Sequence, residues 1–301
     1  MTLRPPREDE FDAMLELMNA HQLAAFGEAD YTADDLRTWL TTPYVEIDRD
    51  IRVVESEGRL IGYADADPTR DDPPLWWCDV KVDPGADADE VVAELVAWLE
   101  ERAVEGRLRV WTSEEDTRIV GAFGALGFEP VRHSYRMEID LADAPREPAW
   151  PHGIATRTAT ADDHRAVYDA VVEVWQDTND PIDETFDEWA HWHVERDSHD
   201  PTLWFLALAG GELAGFSLCR TDPVDPNAGY VSLLGVRRAW RRQGLGEALL
   251  LRSFDAFRER GLTRGTLGVD ASSVTGATRL YERAGMRVYR DTVFLDRPVR
   301  E

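Results

Sequence analysis

Residues 229–246 read GYVSLLGVRRAWRRQGLG, and the organisation of the chain can be worked outward from them. The first eight, GYVSLLGV, are an apolar run of strand length, the pattern of a strand covered on both faces. From Gly244 onward, Leu245, Ala248, Leu249, Phe254 and Phe257 follow helical spacing, and Gly261 ends the segment. The stretch is therefore a buried strand, a turn and a helix. Two glycines in the turn let the backbone curl without Cβ interference and bring several N–H groups to one point. Those groups sit at a helix N-terminus, where the macrodipole favours an anion. Arginines at 237, 238, 241, 242 and 252 add cations suited to phosphate oxygens. The construction fits a pyrophosphate. It lacks the Lys-Ser/Thr of a P-loop and the spacing GxGxxG, which argues against nucleotide hydrolysis and against a dinucleotide site.

On either side of this stretch, strands and helices alternate. Strands are expected at 154–158, 203–209, 213–221, 265–270 and 287–295, and helices at 161–176, 183–196 and 274–284. Thr160, Asp162 and Asp163 are candidate caps. The first half echoes the second: EGRLIGY at 57–63 against GELAGF at 211–216, Leu3-Arg4 against Thr156-Arg157, and LGF at 126–128 against AGM at 284–286. The offset stays between 153 and 158, so the chain reads as two copies of one domain of about 145 residues. Domains are expected at 1–143 and 152–301, joined by ADAPREPAWPHG at 142–153. The fold class expected is α/β (α+β), each copy a mixed central sheet flanked by helices.

Composition narrows the function. The 301 residues carry 59 acids and 33 bases, a formal net charge of −26. A surface so acidic repels nucleic acid and anionic membranes. No run reaches the length of a membrane span, and MTLRPPREDEFD does not read as a signal peptide, so a cytoplasmic protein is expected. Cys78 and Cys219 are too few for a disulfide scaffold and read as small buried hydrophobes. The charge is uneven: residues 237–300 hold 14 arginines against 7 acids, a basic island consistent with an anion site or with ion pairs to the first half.

The sequence resembles the GNAT superfamily of acyl-CoA-dependent N-acyltransferases. Its pyrophosphate motif, Gln/Arg-x-x-Gly-x-Gly/Ala, is met by Arg241, Gly244 and Gly246. A second match runs through Val269-Asp270-Ala271, Gly276-Ala277 and Leu280-Tyr281-Glu282-Arg283-Ala284-Gly285-Met286. The likeness covers about 154–297 directly and 3–141 through the repeat. The paired arrangement resembles the mycothiol synthases and other tandem GNAT proteins. The resemblance implies acetyl-CoA as co-substrate and no metal. Backbone groups of Leu234, Gly235 and Val236 would hold the pantetheine arm, and the N–H groups of Arg241, Arg242, Gln243, Gly244, Leu245 and Gly246 the pyrophosphate. Tyr281 would protonate the departing thiolate. Ser273 falls where many members carry Asn.

Where several relatives carry a basic glutamate, this chain has Tyr230, a poor base near neutral pH. A water leading past Asp222, Asp225 or Glu188 is the expected proton route. For the acceptor, Trp175, Trp189 and Tyr230 are candidate contacts, with Phe186, Trp192, Asp180, Asp183 and Asp187 nearby; Phe186, Trp189 and His193 also fit a core stripe. His191 and His193, at i and i+2, lie on different helix faces and do not read as a metal pair. With an offset of 154, Val82 matches Val236 and Asp87 matches Arg241. The loop DPGADADE at 83–90 would repel a pyrophosphate, so the first copy is expected not to bind CoA. The function expected is transfer of an acetyl group from acetyl-CoA to a primary amine of a small molecule, by a monomer or homodimer. The other readings are a non-catalytic acyl-CoA sensor and acetylation of a cysteinyl-glucosaminyl-inositol precursor.

Overall fold

The computed structural model describes residues 1–145, 148–222 and 224–299. Arg146 and Glu147, within the expected linker, lie outside the described residues, as do Pro223, Arg300 and Glu301. The chain forms two compact units, residues 1–134 with 291–301, and residues 135–290.

The first unit contains strands β1 (Thr2–Arg4), β2 (Ile51–Ser56), β3 (Arg59–Asp65), β4 (Asp67–Pro68), β5 (Leu75–Trp77), β6 (Val80–Val82) and β7 (Arg107–Ser113). Its helices are α1 (Phe11–Phe26), α2 (Ala33–Leu40), α3 (Ile47–Asp50), α4 (Ala88–Arg102) and α5 (Thr117–Ala125). β8 (Glu129–Asp140) begins in this unit and gives residues 135–140 to the second. The second unit contains β9 (Ile154–Thr158), β10 (Trp204–Ala209), β11 (Glu212–Thr221), β12 (Ala228–Val236) and β13 (Arg264–Asp270). Its helices are α6 (His164–Trp175), α7 (Phe186–His193), α8 (Leu245–Glu259) and α9 (Ala277–Arg283). β14 (Arg287–Pro298) starts there and ends in the first unit, where residues 292–298 pair with β7.

The repeat seen in the sequence is a repeat of structure. β2 and β3 turn through Glu57 and Gly58, and β10 and β11 through Gly210 and Gly211, all four residues at positive φ. That is the tight hairpin whose twist matches paired strands. In the second unit β9, β10, β11 and β12 pair antiparallel in order, and β13 joins β12 in parallel. α8 covers one face through Leu249, Phe254 and Phe257, packed with Phe205, Ala207 and Val231. α6 and α7 cover the other with Val167, Val171 and Trp189, against Trp204, Leu206 and Phe216.

Three helices are shorter than the spacing predicts, α9 among them because it starts at Ala277, after Gly276 at positive φ, and not at residue 274. The segment 161–176 starts with a 3-10 turn at Ala161–Asp163, set by reciprocal hydrogen bonds of Thr160 and Asp163, before α6 begins. α7 is confined to Phe186–His193 because Thr185 and Glu188 form a capping box at its start. Among the described residues no helix is long and apolar enough to cross a membrane.

Candidate active site

The site grows from the way β12 loses one neighbour. Its register with β11 runs to Val236, but its register with β13 stops at Val231 opposite Leu267. Ser232 is an extra residue on β12, skipped where Leu218 faces Leu233 and Cys219 faces Val231. Such a bulge bends the strand and increases its twist. Residues 232–236 thus present an edge without a β13 partner, and Leu234, Gly235 and Val236 lie on it.

That edge leads into the arginine turn. Arg242 adopts φ +63°, and Gly244 adopts φ +85° as the N-cap of α8. A side chain at Gly244 would meet no atom within 4 Å, so the backbone angle, not space, demands glycine there. The cap donates no side-chain acceptor to the helix. Among the described residues, the N–H groups from Arg242 to Glu247 find no acceptor in the protein. These are orphan donors at the positive end of a helix, the arrangement that takes an anion. The residues fit the pyrophosphate of acetyl-CoA on that ground.

The arginines divide the work differently from the expectation that all flank the phosphates. Arg237 donates to Glu173 Oε2 at 2.7 Å and to the Leu213 carbonyl at 3.0 Å. Arg238 is bidentate on Asp177 at 2.8 and 2.7 Å. Arg241 donates to the Val236 carbonyl at 2.9 Å and to Asp177 at 2.7 Å, while its buried Nη2 has no partner among the described residues. Three guanidiniums therefore clamp the turn to α6 and the residues just after it, and the pair on Asp177 holds that carboxyl well below the usual range. Arg252 packs over the Phe205 ring, away from the turn. Arg242 and Gln243 remain exposed. The basic island is thus largely structural. Among the described residues its ion pairs run to acids of the same unit, including Glu138 and Asp225 on Arg264, and Glu138 on Arg287.

Tyr281 on α9 is buried, at 7 % exposure. Burial, then the neighbouring Tyr230, pushes its phenol up to about 12. It stays protonated at neutral pH, and its hydroxyl makes no hydrogen bond among the described residues. Leu280, one residue earlier, lies 3.7 Å from the place where a Cβ on Gly246 would stand, which sets α9 beside the turn. Ser273 is half-buried and shares a hydrogen bond with Thr275 at 3.0 Å.

Across β12 from α8, a cavity of about 240 Å³ opens between α7, the segment 196–199 and the ends of β11 and β12. Its walls include Trp192, His193, Arg196, Arg220, Tyr230 and Ser232. Of the three acceptor contacts expected, Tyr230 lines it. Trp189 does not: it is fully buried, packed against Tyr168, Phe186 and Trp204, as the core-stripe reading has it, whereas His193 of the same stripe lines the cavity. Trp175 stacks on Phe216 at 6.4 Å and is not in the wall. Trp192 takes the place expected of Trp189. The carboxylates expected on a water route are engaged locally. Glu188 closes its capping box, Asp222 accepts from Val224 and Asp225 N–H groups, and Asp225 pairs with Arg264. Burial and the charges of Arg196 and Arg220 hold His193 down at about 3. The sequence reading missed Arg196, His199 and Arg220. An arginine inside the apolar strand 213–221 was the available signal.

Among the described residues the first unit offers no equivalent turn. α4 is capped by Asp87, whose carboxylate accepts from Glu90 N–H at 3.2 Å. Elsewhere in that unit Glu114, His133 and Asp291 bring ligand atoms within 4.8 Å of one another, with His133 hydrogen-bonded to Asp291 at 2.9 Å.

A splayed strand running into an uncapped Gly-x-Gly helix start, with a protonated tyrosine beside it, defines an acyltransferase of the acetyl-transferring kind. Residues 164–286 match the Acetyltransferase (GNAT) family, and the chain belongs to that family. It is 31% identical over 80% of its length to a mycothiol acetyltransferase of Thermomonospora curvata, of which it covers 80%. It is 30% identical to one of Geodermatophilus obscurus, over 79% of this chain and 78% of that one. A GCN5-related N-acetyltransferase structure from Sphaerobacter thermophilus superposes with a TM-score of 0.79 at 30% identity, covering 100% of this chain and 96% of that one. A tandem GNAT protein from the clavulanic acid biosynthesis pathway shares the fold, with a TM-score of 0.77 at 17% identity over 100% and 99% of the two chains. The sensor reading gives way to an enzyme.

Proposed function

We propose that the second unit transfers the acetyl group of acetyl-CoA to a primary amine of a small molecule by direct attack. The observation that carries this is the unpartnered edge of β12 running into the orphan N–H groups of Arg242–Glu247. The pantetheine arm would lie along Leu234, Gly235 and Val236, and the pyrophosphate on the turn, with Ser273 as a further contact. The amine nitrogen bonds to the thioester carbon, the C–S bond breaks, and Tyr281 gives its proton to the leaving sulfur. The amine loses one proton to solvent, and Tyr281 recovers one. An acyl-enzyme on Cys219 is disfavoured, because burial pushes that thiol up to about 11 and leaves little thiolate. Holding amine and thioester together supplies much of the rate, since proximity is worth up to about 7–11 kcal/mol.

The first unit is proposed to bind no CoA, the chain to work in the cytoplasm as a monomer or homodimer, and nucleic acid and membrane to be absent from its partners. A narrower reading takes the acceptor of the mycothiol acetyltransferase relatives, a cysteinyl-glucosaminyl-inositol amine, as this protein's own; the identity near 30% supports it. The test is thiol release from acetyl-CoA against amino acids, aminoglycosides, polyamines and that precursor, with calorimetric binding of CoA on the same sample. Release with one class and one CoA per chain is expected. No CoA binding would overturn the reading of the 241–246 turn.

A further inference from the structure

The cavity beside Tyr230 says something about the acceptor, given the acetyl-transfer reading. Its walls carry two guanidiniums, Arg196 and Arg220, two imidazoles, His193 and His199, and the rings of Trp192 and Trp204, and none of its lining residues is an acid. Arg220 also lies over the Tyr230 ring at 5.3 Å, and Arg136 over the same ring at 4.7 Å. Tyr230 is thus held among guanidiniums. A cavity built for a bare ammonium would carry carboxylates, because an uncompensated cation beside guanidiniums is unfavourable. A guanidinium has five donors, so it binds an added carboxylate or phosphate while keeping a protein partner. We infer that the acceptor is an amine that also bears an anionic group, a carboxylate or a phosphate, and that Arg196 and Arg220 hold this group while the amine reaches past Tyr230 toward the splay of β12.

The same charges address the missing base. Cations near an amine favour its neutral form. The wall thereby helps to deliver a free amine where no carboxylate accepts its proton. A cysteinyl-glucosaminyl-inositol amine has no anionic group to offer, so the same test decides between this inference and the narrower reading above.

Matched pairs test it. Thiol release is measured for phenylalanine against phenethylamine, and for glucosamine 6-phosphate against glucosamine, with wild type, Arg220→Gln and Arg196→Gln. At least a tenfold higher kcat/KM for one anionic member is expected, carried by KM, and either substitution should remove most of that preference. The carboxylate and phosphate pairs show which anion is taken. Equal rates for charged and uncharged members, or a preference that survives both substitutions, overturn the inference while acetyl transfer stands. If no amine releases thiol although CoA binds, the transfer reading fails. Calorimetric titration of phenylalanine and glucosamine 6-phosphate into the CoA-loaded protein then decides the anion site: uptake lost in Arg220→Gln supports it, and no uptake overturns it. Circular dichroism melts of both variants separate a lost contact from a lost fold.

Discussion

The strand–turn–helix of the second unit and its counterpart in the first answer one electrostatic problem in opposite ways. Each begins a long helix whose first N–H groups lack partners in the helix. In the second unit eight residues, 237–244, separate β12 from α8, and the cap is a glycine that supplies no oxygen. In the first unit only five, 83–87, separate β6 from α4, and the cap is Asp87, whose carboxylate occupies the anion's place. The shorter loop also corrects the sequence alignment, since Asp87 stands at the position of Gly244 and not of Arg241. The strands differ in the same sense. β12 is continuous and splayed, whereas the first unit breaks its equivalent into β5, parallel to β7, and β6, antiparallel to β3. Between those sheets the chain's one lysine, Lys81, is 1 % exposed, paired with Asp79 and lying 5.3 Å from the Tyr31 ring. One copy leaves its helix start uncapped; the other caps it with its own carboxylate.

If that contrast locates the chemistry, the largest effect belongs to Tyr281. Tyr281→Phe should lower kcat about 100- to 1000-fold, the range of a lost general acid, with CoA affinity within about twofold. Steady-state kinetics beside calorimetry read both. An unchanged kcat would leave Tyr281 as packing alone. A second effect comes with acid, to which His193 in the second unit adds a matching loss, so the test isolates His21 by substitution. His21 sits in the first unit at 1 % exposure, accepting from Val82 N–H, and burial with the charge of Lys81 holds it at about 3. Its folded value is depressed, so the unfolded chain takes up the proton first as pH falls below about 6.5. Stability is full above that pH and is lost on the way down to 3, by about 2 kcal/mol at pH 5. Paired carboxylates such as Glu10, held at about 2, add their loss only below about pH 4.5. Urea melts at pH 7.5 and 5.0 should show His21→Gln losing less than wild type between the two; equal losses would remove His21 from the account.

Gly244→Ala comes next. Nothing stands within 4 Å of the new Cβ, so the cost is the left-handed backbone, about 1–2 kcal/mol. CoA binding should weaken about tenfold. Gly58→Ala, at φ +77° with equally open space, is the control: it should lower the melting temperature and leave CoA binding unchanged. Equal weakening of CoA binding by both would mean that the effect is general strain rather than the turn.

What was legible follows the same division. The repeat, the second unit's strands and the Gly-x-Gly turn were readable because they rest on local rules: apolar runs, hairpin chemistry, and glycine where φ is positive. The roles of Arg237, Arg238 and Arg241 were not, because sequence gives their charge and spacing but not Glu173 waiting on α6 and Asp177 in the turn after it. Trp189 and Trp192 share one helix three residues apart, and only the packing of α7 decides which is core and which faces the cavity. Arg196 and Arg220 meet from a loop and a strand, a convergence that no spacing records.

Asp87→Ala asks the smallest question and bears most directly on the contrast. Removing a carboxylate cap costs about 1 kcal/mol of stability, here a few degrees in the melt of the first unit. It also frees the N-terminus of α4. If the built-in anion alone kept CoA out, calorimetric stoichiometry would rise from one toward two. The expected result is a stoichiometry that stays at one, because Asp83, Asp89 and Glu90 remain around the freed donors, and carboxylates beside a phosphate repel it at any spacing the loop allows. The shorter loop also lacks the three residues that in the second unit carry the N–H groups round to a single point. A value near two would show that one aspartate separates a silent copy from a binding one; a value of one places the loss in the loop's length and its charge together.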